Sequence, residues 1–140
     1  MGVSITATNS KYDFDMGYGG FYSLRTEIAK ALDPEFGENY AGLGSCFTKE
    51  EYVKNDRKAN KIIAKKGLDK KYKDVLDFLY ASDCGGKASY KTCQKILELI
   101  KNKNYRKNGF RYAAYSHEDY AEFKDFLQEC VKNRRNMRWY

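Results

Sequence analysis

Residue types able to do chemistry gather at three places in this chain. The first is Ser82-Asp83-Cys84-Gly85-Gly86-Lys87-Ala88-Ser89. A carboxylate among glycines suggests a calcium loop, but calcium needs about six to eight oxygens and a closing bidentate acid. Here Cys84, Gly85, Gly86 and Lys87 follow Asp83, and Thr92 stands where that acid belongs, so the pattern argues against calcium. The glycine–lysine spacing is not that of a Walker loop either. Two readings remain. In one, the segment is a corner between helices: Ser82 and Asp83 bond backbone amides, the glycines take positive φ, and Ser89 caps the next helix. In the other, amides freed by Gly85-Gly86 join Lys87 and the following helix N-terminus to hold a phosphate.

The second place is Tyr12 to Arg25. Gly17, Gly19 and Gly20 let a ligand approach the backbone, and Tyr18, Phe21, Tyr22 and Arg25 offer stacking and charge to a nucleotide. The plainer alternative puts Phe21 and Met16 in the core, Tyr18 at the rim and Arg25 against a helical carboxylate. A small anionic ligand would use Tyr18, Arg25, Asp83 and Lys87.

The third place is basic and aromatic: Lys101, Lys103, Tyr105, Arg106, Lys107, Phe110, Arg111, Tyr112 and Tyr115. Cations give salt-dependent affinity for phosphates and rings stack on bases. This stretch would face a basic helix carrying Lys54, Arg57, Lys58, Lys61, Lys65 and Lys66, with Arg134, Arg135 and Arg138 adding charge. The alternative is a solvated loop and a solvated helix face. A nucleic acid or an acidic protein face would meet Lys54, Arg57, Lys58, Lys61, Arg106, Lys107 and Arg111.

Catalysis has little support. His117 is the only histidine and follows a helix cap, where it is expected to be exposed. Asp13 and Asp15 are too ordinary a pair to count as an acid–base couple. The four cysteines, Cys46, Cys84, Cys93 and Cys130, contain no two-residue spacing of a zinc or redox motif, and read as reduced, part-buried thiols. No cofactor, metal or catalytic residue is expected.

The elements that must position these residues follow from periodicity. Val3, Ile5 and Ala7 alternate with polar residues and make a short strand. Tyr12, Phe14, Met16 and Tyr18 alternate too, as a second strand or an extended aromatic loop. A helix starts near Phe21 with Leu24, Ile28, Ala31 and Leu32 on one face, and Pro34 ends it. Residues 35–47 read as a glycine-containing loop. Thr48 with Glu51 is a capping box for a helix of about 15 residues that stops at Gly67; Tyr52, Ala59, Ile62 and Ile63 form its apolar side. Leu68, Tyr72, Val75, Leu76 and Leu79 make the next stripe, ending near Ala81. Ser89 caps a helix that turns Cys93, Ile96, Leu97 and Ile100 inward. Ser116 with Asp119 starts the last helix, whose stripe is Tyr120, Phe123, Leu127, Cys130 and Val131. Met137 to Tyr140 alternate as a terminal strand expected to pair with the first, since a lone short strand cannot satisfy its backbone. The fold class is α+β and predominantly helical, about five helices with a small sheet from the N- and C-terminal strands.

At 140 residues this is one ordinary domain, 1–140, able to bury a core without a metal or disulfide. Thirteen tyrosines and eight phenylalanines make core and boundary aromatic. Charged residues reach 32%, no apolar run can span a bilayer, and the N-terminus lacks a signal peptide's pattern. A cytoplasmic location is therefore expected. The net charge of +7 comes from the middle of the chain. Residues 1–48 are acidic, whereas residues 81–115 hold eight basic groups against Asp83 and Glu98. Such a field attracts nucleic acid, nucleotides or an acidic protein face.

Three stretches together resemble a known family. They are Gly17-Tyr18-Gly19-Gly20-Phe21 with Leu24-Arg25 and Ile28-Ala29, the apolar helix running into Ser82-Asp83-Cys84-Gly85-Gly86, and the terminal helix with Cys130 that leads to Met137–Tyr140. The order resembles a family of small uncharacterised proteins from phages, mobile elements and their bacterial hosts. There the turn usually reads Ser-Asp-Cys, an acidic residue, then glycine; Gly85 replaces the acid here. The resemblance covers about half the chain and implies no known activity. It does imply the habit of small phage accessory proteins, which bind and block host components. The expected function is a non-enzymatic inhibitor or sequestering protein acting on a host defence component, a CRISPR effector or a nucleotide signal, through a basic surface. The alternatives are a general nucleic-acid-binding accessory protein and, more remotely, a small enzyme.

Overall fold

The structure, a computed structural model, describes residues 2–10, 13–102 and 117–140, and of 117–119 the backbone only. Arg106, Lys107 and Arg111, with the rest of the basic-aromatic stretch from Lys103 on and the Ser116–Asp119 cap, lie outside the described residues, as does the side chain of His117.

The alternating N-terminal residues form β1 (Gly2–Ala7), and Asp13–Gly17 form β2, the strand of the two readings open there. They pair antiparallel with Ile5 opposite Phe14. The terminal alternation is β4 (Met137–Trp139), which pairs antiparallel with β1 as expected, Ile5 opposite Trp139. A third partner was not legible: β3 (Gly86–Ala88) adds to the free side of β4, giving the order β2-β1-β4-β3. One face of this sheet is buried through Val3, Ile5, Ala7, Phe14, Met16, Ala88, Met137 and Trp139. The opposite face carries Asp13, Asp15, Lys87 and Arg138 to solvent, the usual division for an antiparallel sheet.

Among the described residues six α-helices cover the buried face and extend from it. The first, α1 (Tyr18–Leu32), begins directly after β2, three residues earlier than its apolar stripe suggests. Pro34 ends α1 but does not begin a loop. It opens α2 (Pro34–Ala41), because proline lacks only an amide that the first helical turn leaves unused. Asp33 caps this helix by accepting the Phe36 amide at 2.9 Å, and Phe36 and Tyr40, four apart, are buried. A 3-10 turn at Gly42–Ser45 follows.

α3 (Lys49–Lys66) starts at the Thr48 cap, whose Oγ1 accepts the Glu51 amide at 3.1 Å. It stops at Gly67, which sits at φ 62°, a conformation that costs glycine nothing. α4 (Leu68–Tyr80) buries Leu68, Val75, Leu76, Phe78 and Leu79. Ser89 caps α5 (Tyr90–Ile100) through the Thr92 amide. α6 (His117–Asn133) packs on α5, and Phe123, Phe126, Leu127 and Cys130 enter the same apolar cluster. All four cysteines are free thiols. No helix among the described residues is long and apolar enough to cross a membrane.

Candidate functional sites: a tyrosine cleft and a basic ridge

The C-terminal end of α4 leaves carbonyl oxygens with no partner inside the helix. Three side chains from three other elements bond carbonyls of this end and of the two residues that follow it. Tyr40 of α2 donates its hydroxyl to the Leu79 oxygen at 2.6 Å. Arg25 of α1 donates Nη1 to the Ala81 oxygen at 2.7 Å. Trp139 of β4 donates Nε1 to the Ser82 oxygen at 2.8 Å. The Ser82–Gly86 segment is thereby held where α1, α2 and β4 converge.

Arg25 therefore has a different part from either reading of the sequence. It is only 5% exposed, its guanidinium lies 4.2 Å from the Phe21 ring centroid, and Phe78 and Trp139 flank it at 5.2 and 5.8 Å. Its hydrogen bonds go to carbonyls, not to a helical carboxylate, and its Nε is buried without a partner among the described residues. Burial lowers its pKa from the usual value, opposed by Tyr40 and by Asp83.

The glycines of the turn also act differently from expectation. Neither Gly85 nor Gly86 has positive φ. Gly86 is glycine because a Cβ there would stand 2.2 Å from Cζ2 of Trp139. Ser82 does bond a backbone amide, accepting from Cys84 at 3.0 Å, while Asp83 accepts from the Cys84 thiol. Gly86 and Lys87 belong to a strand, where the ladder rather than a phosphate engages the backbone. Lys87 sits on the exposed face of the sheet opposite Arg138, away from Tyr18, Arg25 and Asp83.

Those last three do come together. They line an open cleft of about 670 Å³ with Tyr22, Tyr40, Tyr52, Tyr80 and Ser82. Tyr18, Tyr52 and Tyr80 are 37%, 52% and 40% exposed and arrive from α1, α3 and α4. Tyr22 stacks on Tyr40 with centroids 5.9 Å apart, and its hydroxyl pins the following 3-10 turn by accepting the Gly44 amide and donating to carbonyls of Tyr40 and Ala41. The Asp83 carboxylate stands at the mouth. Cys84, burial and Asp83 together raise the Tyr18 phenol above its usual value. Burial, with Asp56 and Tyr52 nearby, pushes Tyr80 up to about 12. Sequence reasoning missed Tyr40, Tyr52, Tyr80 and Asp56 as a group. The surplus of tyrosine was the available signal, but it carries no position.

The second site is on α3. Lys54, Arg57, Lys58 and Lys61 recur three and four apart, so they fall on one side of the helix. All four are exposed, and none joins an ion pair among the described residues. Ala59 and Ile62 anchor the helix by another side. Lys66 leaves this group: its ammonium contacts Asp33 at 2.9 Å and Glu35 at 3.3 Å, tying α3 to the start of α2. Tyr52, expected on the apolar side, faces the cleft instead. No family model, curated protein or solved structure matches the chain.

Proposed function

We propose that this chain is a non-catalytic binding protein of the phage and mobile-element type. It blocks a nucleic-acid-loaded host defence effector, such as a CRISPR nuclease, by engaging anionic surface through α3. The observation that carries this reading is the line of four exposed cations Lys54, Arg57, Lys58 and Lys61, unpaired among the described residues. Side-by-side cations without carboxylate partners hold a condensed field that phosphates neutralise, releasing counterions. Sequestration of a nucleotide signal is supported less well. Of the residues suited to it, Lys87 lies elsewhere and Arg25 is already committed to two carbonyls.

The test is fluorescence anisotropy with labelled DNA and RNA at two salt concentrations, alongside a thermal-shift titration with mono- and cyclic nucleotides. Affinity for the polymers should fall steeply with salt. Lys54→Glu with Lys61→Glu should weaken binding at least about tenfold and flatten the log–log salt slope by about two. A salt-insensitive thermal shift with one nucleotide, unaffected by that double variant, would overturn the ridge reading. Inhibition of a nuclease effector, absent in the double variant, separates the blocking role from a general nucleic-acid-binding one.

A further inference from the structure

We propose that the tyrosine cleft receives the guanidinium of an arginine side chain on a basic peptide segment of a partner protein. The proposal is independent of the role given to α3. It rests first on the walls. Tyr18, Tyr52 and Tyr80 leave ring surface open around one cleft of about 670 Å³, room for a long side chain with flanking backbone. Open tyrosine faces attract cations through the ring quadrupole.

It rests next on charge. The protein carries +7 overall, yet among the described residues no lysine lines this cleft. The carboxylate of Asp83 is part of its lining, and Asp56 stands close to Tyr80. Arg25, the only cation in the lining among the described residues, faces the Ala81 and Ser82 carbonyls and three aromatic rings, and is 5% exposed. Among the described residues, an anion entering here would meet the Asp83 carboxylate and phenols and no presented ammonium. A guanidinium would meet rings to stack on and a carboxylate to grip. Its planar fork suits that pairing better than the point charge of lysine.

The experiment is a titration of the full chain, followed by amide NMR shifts and calorimetry, with acetyl-Gly-Arg-Gly-Arg-Gly-amide. Its citrulline counterpart, equal in shape but uncharged, and adenosine and guanosine monophosphates are the comparison ligands. The arginine peptide should bind saturably, against the repulsion of a basic protein, with shifts centred on Tyr18, Tyr52, Tyr80 and Asp83. The citrulline peptide should bind about tenfold more weakly. Tyr52→Ala and Asp83→Asn should each weaken the arginine peptide about three- to tenfold with unchanged melting. Lys54→Glu with Lys61→Glu should not weaken it, which separates this site from the ridge. Equal binding of the two peptides, or shifts that ignore Tyr52 and Asp83, would sink the proposal. Binding of a nucleoside monophosphate in the cleft in place of the arginine peptide would do the same.

Discussion

Gly86 and Gly85 are neighbours with opposite tolerances. A methyl group on Gly86 meets the Trp139 ring at 2.2 Å, whereas on Gly85 the nearest atom is a carbonyl oxygen at 3.8 Å. Gly86→Ala should therefore cost about 1–3 kcal/mol by overpacking, and Gly85→Ala less than about 0.5 kcal/mol. Urea denaturation of both variants checks this, and equal effects would contradict the packing argument. The thiols differ as sharply. Cys84 is exposed and Cys46 half-buried, while Cys93 and Cys130 are buried against each other. Their shared hydrogen bond and burial push the Cys93 thiol up, away from the reactive thiolate. A chromogenic disulfide reagent should label Cys84 at once and Cys46 more slowly. Cys93 and Cys130 should react only on unfolding. The cysteine spacing predicts reduced thiols; which of them can be reached depends on helices packed far apart in sequence.

Elements are joined by a few polar side chains whose loss should be measurable. Asp33 caps α2 and also receives Lys66 of α3, so Asp33→Ala should lose about 1–2 kcal/mol, more than Lys66→Ala. Between α4 and α5, the Asp74 carboxylate accepts from the Thr92 hydroxyl at 3.0 Å and the Lys95 ammonium at 3.1 Å. Burial raises its pKa, but Lys95 and Thr92 outweigh this and hold it below the usual value. The folded-state pKa is thus below that of the unfolded chain, about 4. Stabilisation is complete above that value and is lost as pH falls through the depressed one. Asp74→Asn should cost no more than about 1 kcal/mol at pH 7, since the pair is partly solvated, and progressively less toward pH 2. A cost unchanged by acid would refute the ionic account.

Across the whole molecule, β4 is the member that cannot be removed. It lies between β1 and β3, buries Met137 and Trp139, and supplies the indole that fixes Ser82. Deleting residues 137–140 should abolish cooperative thermal unfolding, as circular dichroism would show. A truncated chain melting cooperatively within a few degrees would mean that β1, β2 and the helices hold together without it.

What the sequence by itself determined is what depends on near neighbours. The faces of β1, α1, α4 and α5 could be read because side chains repeat every second residue in a strand and every three to four in a helix. Thr48, Gly67 and Ser89 mark helix ends because capping is a bond across three or four residues. Other features needed the tertiary structure. α2 is short and weakly patterned, and exists because Phe36 and Tyr40 find a cavity against α1 and α4. β3 has three residues and no periodic signal; it is a strand because β4 offers an unpaired edge. Arg25 reads as a free cation until the end of α4 presents carbonyls to it. The tyrosines of the cleft lie between positions 18 and 80 and meet only when α1 to α4 pack. Contacts of that range leave no spacing rule in one chain, so only the packed structure reveals them.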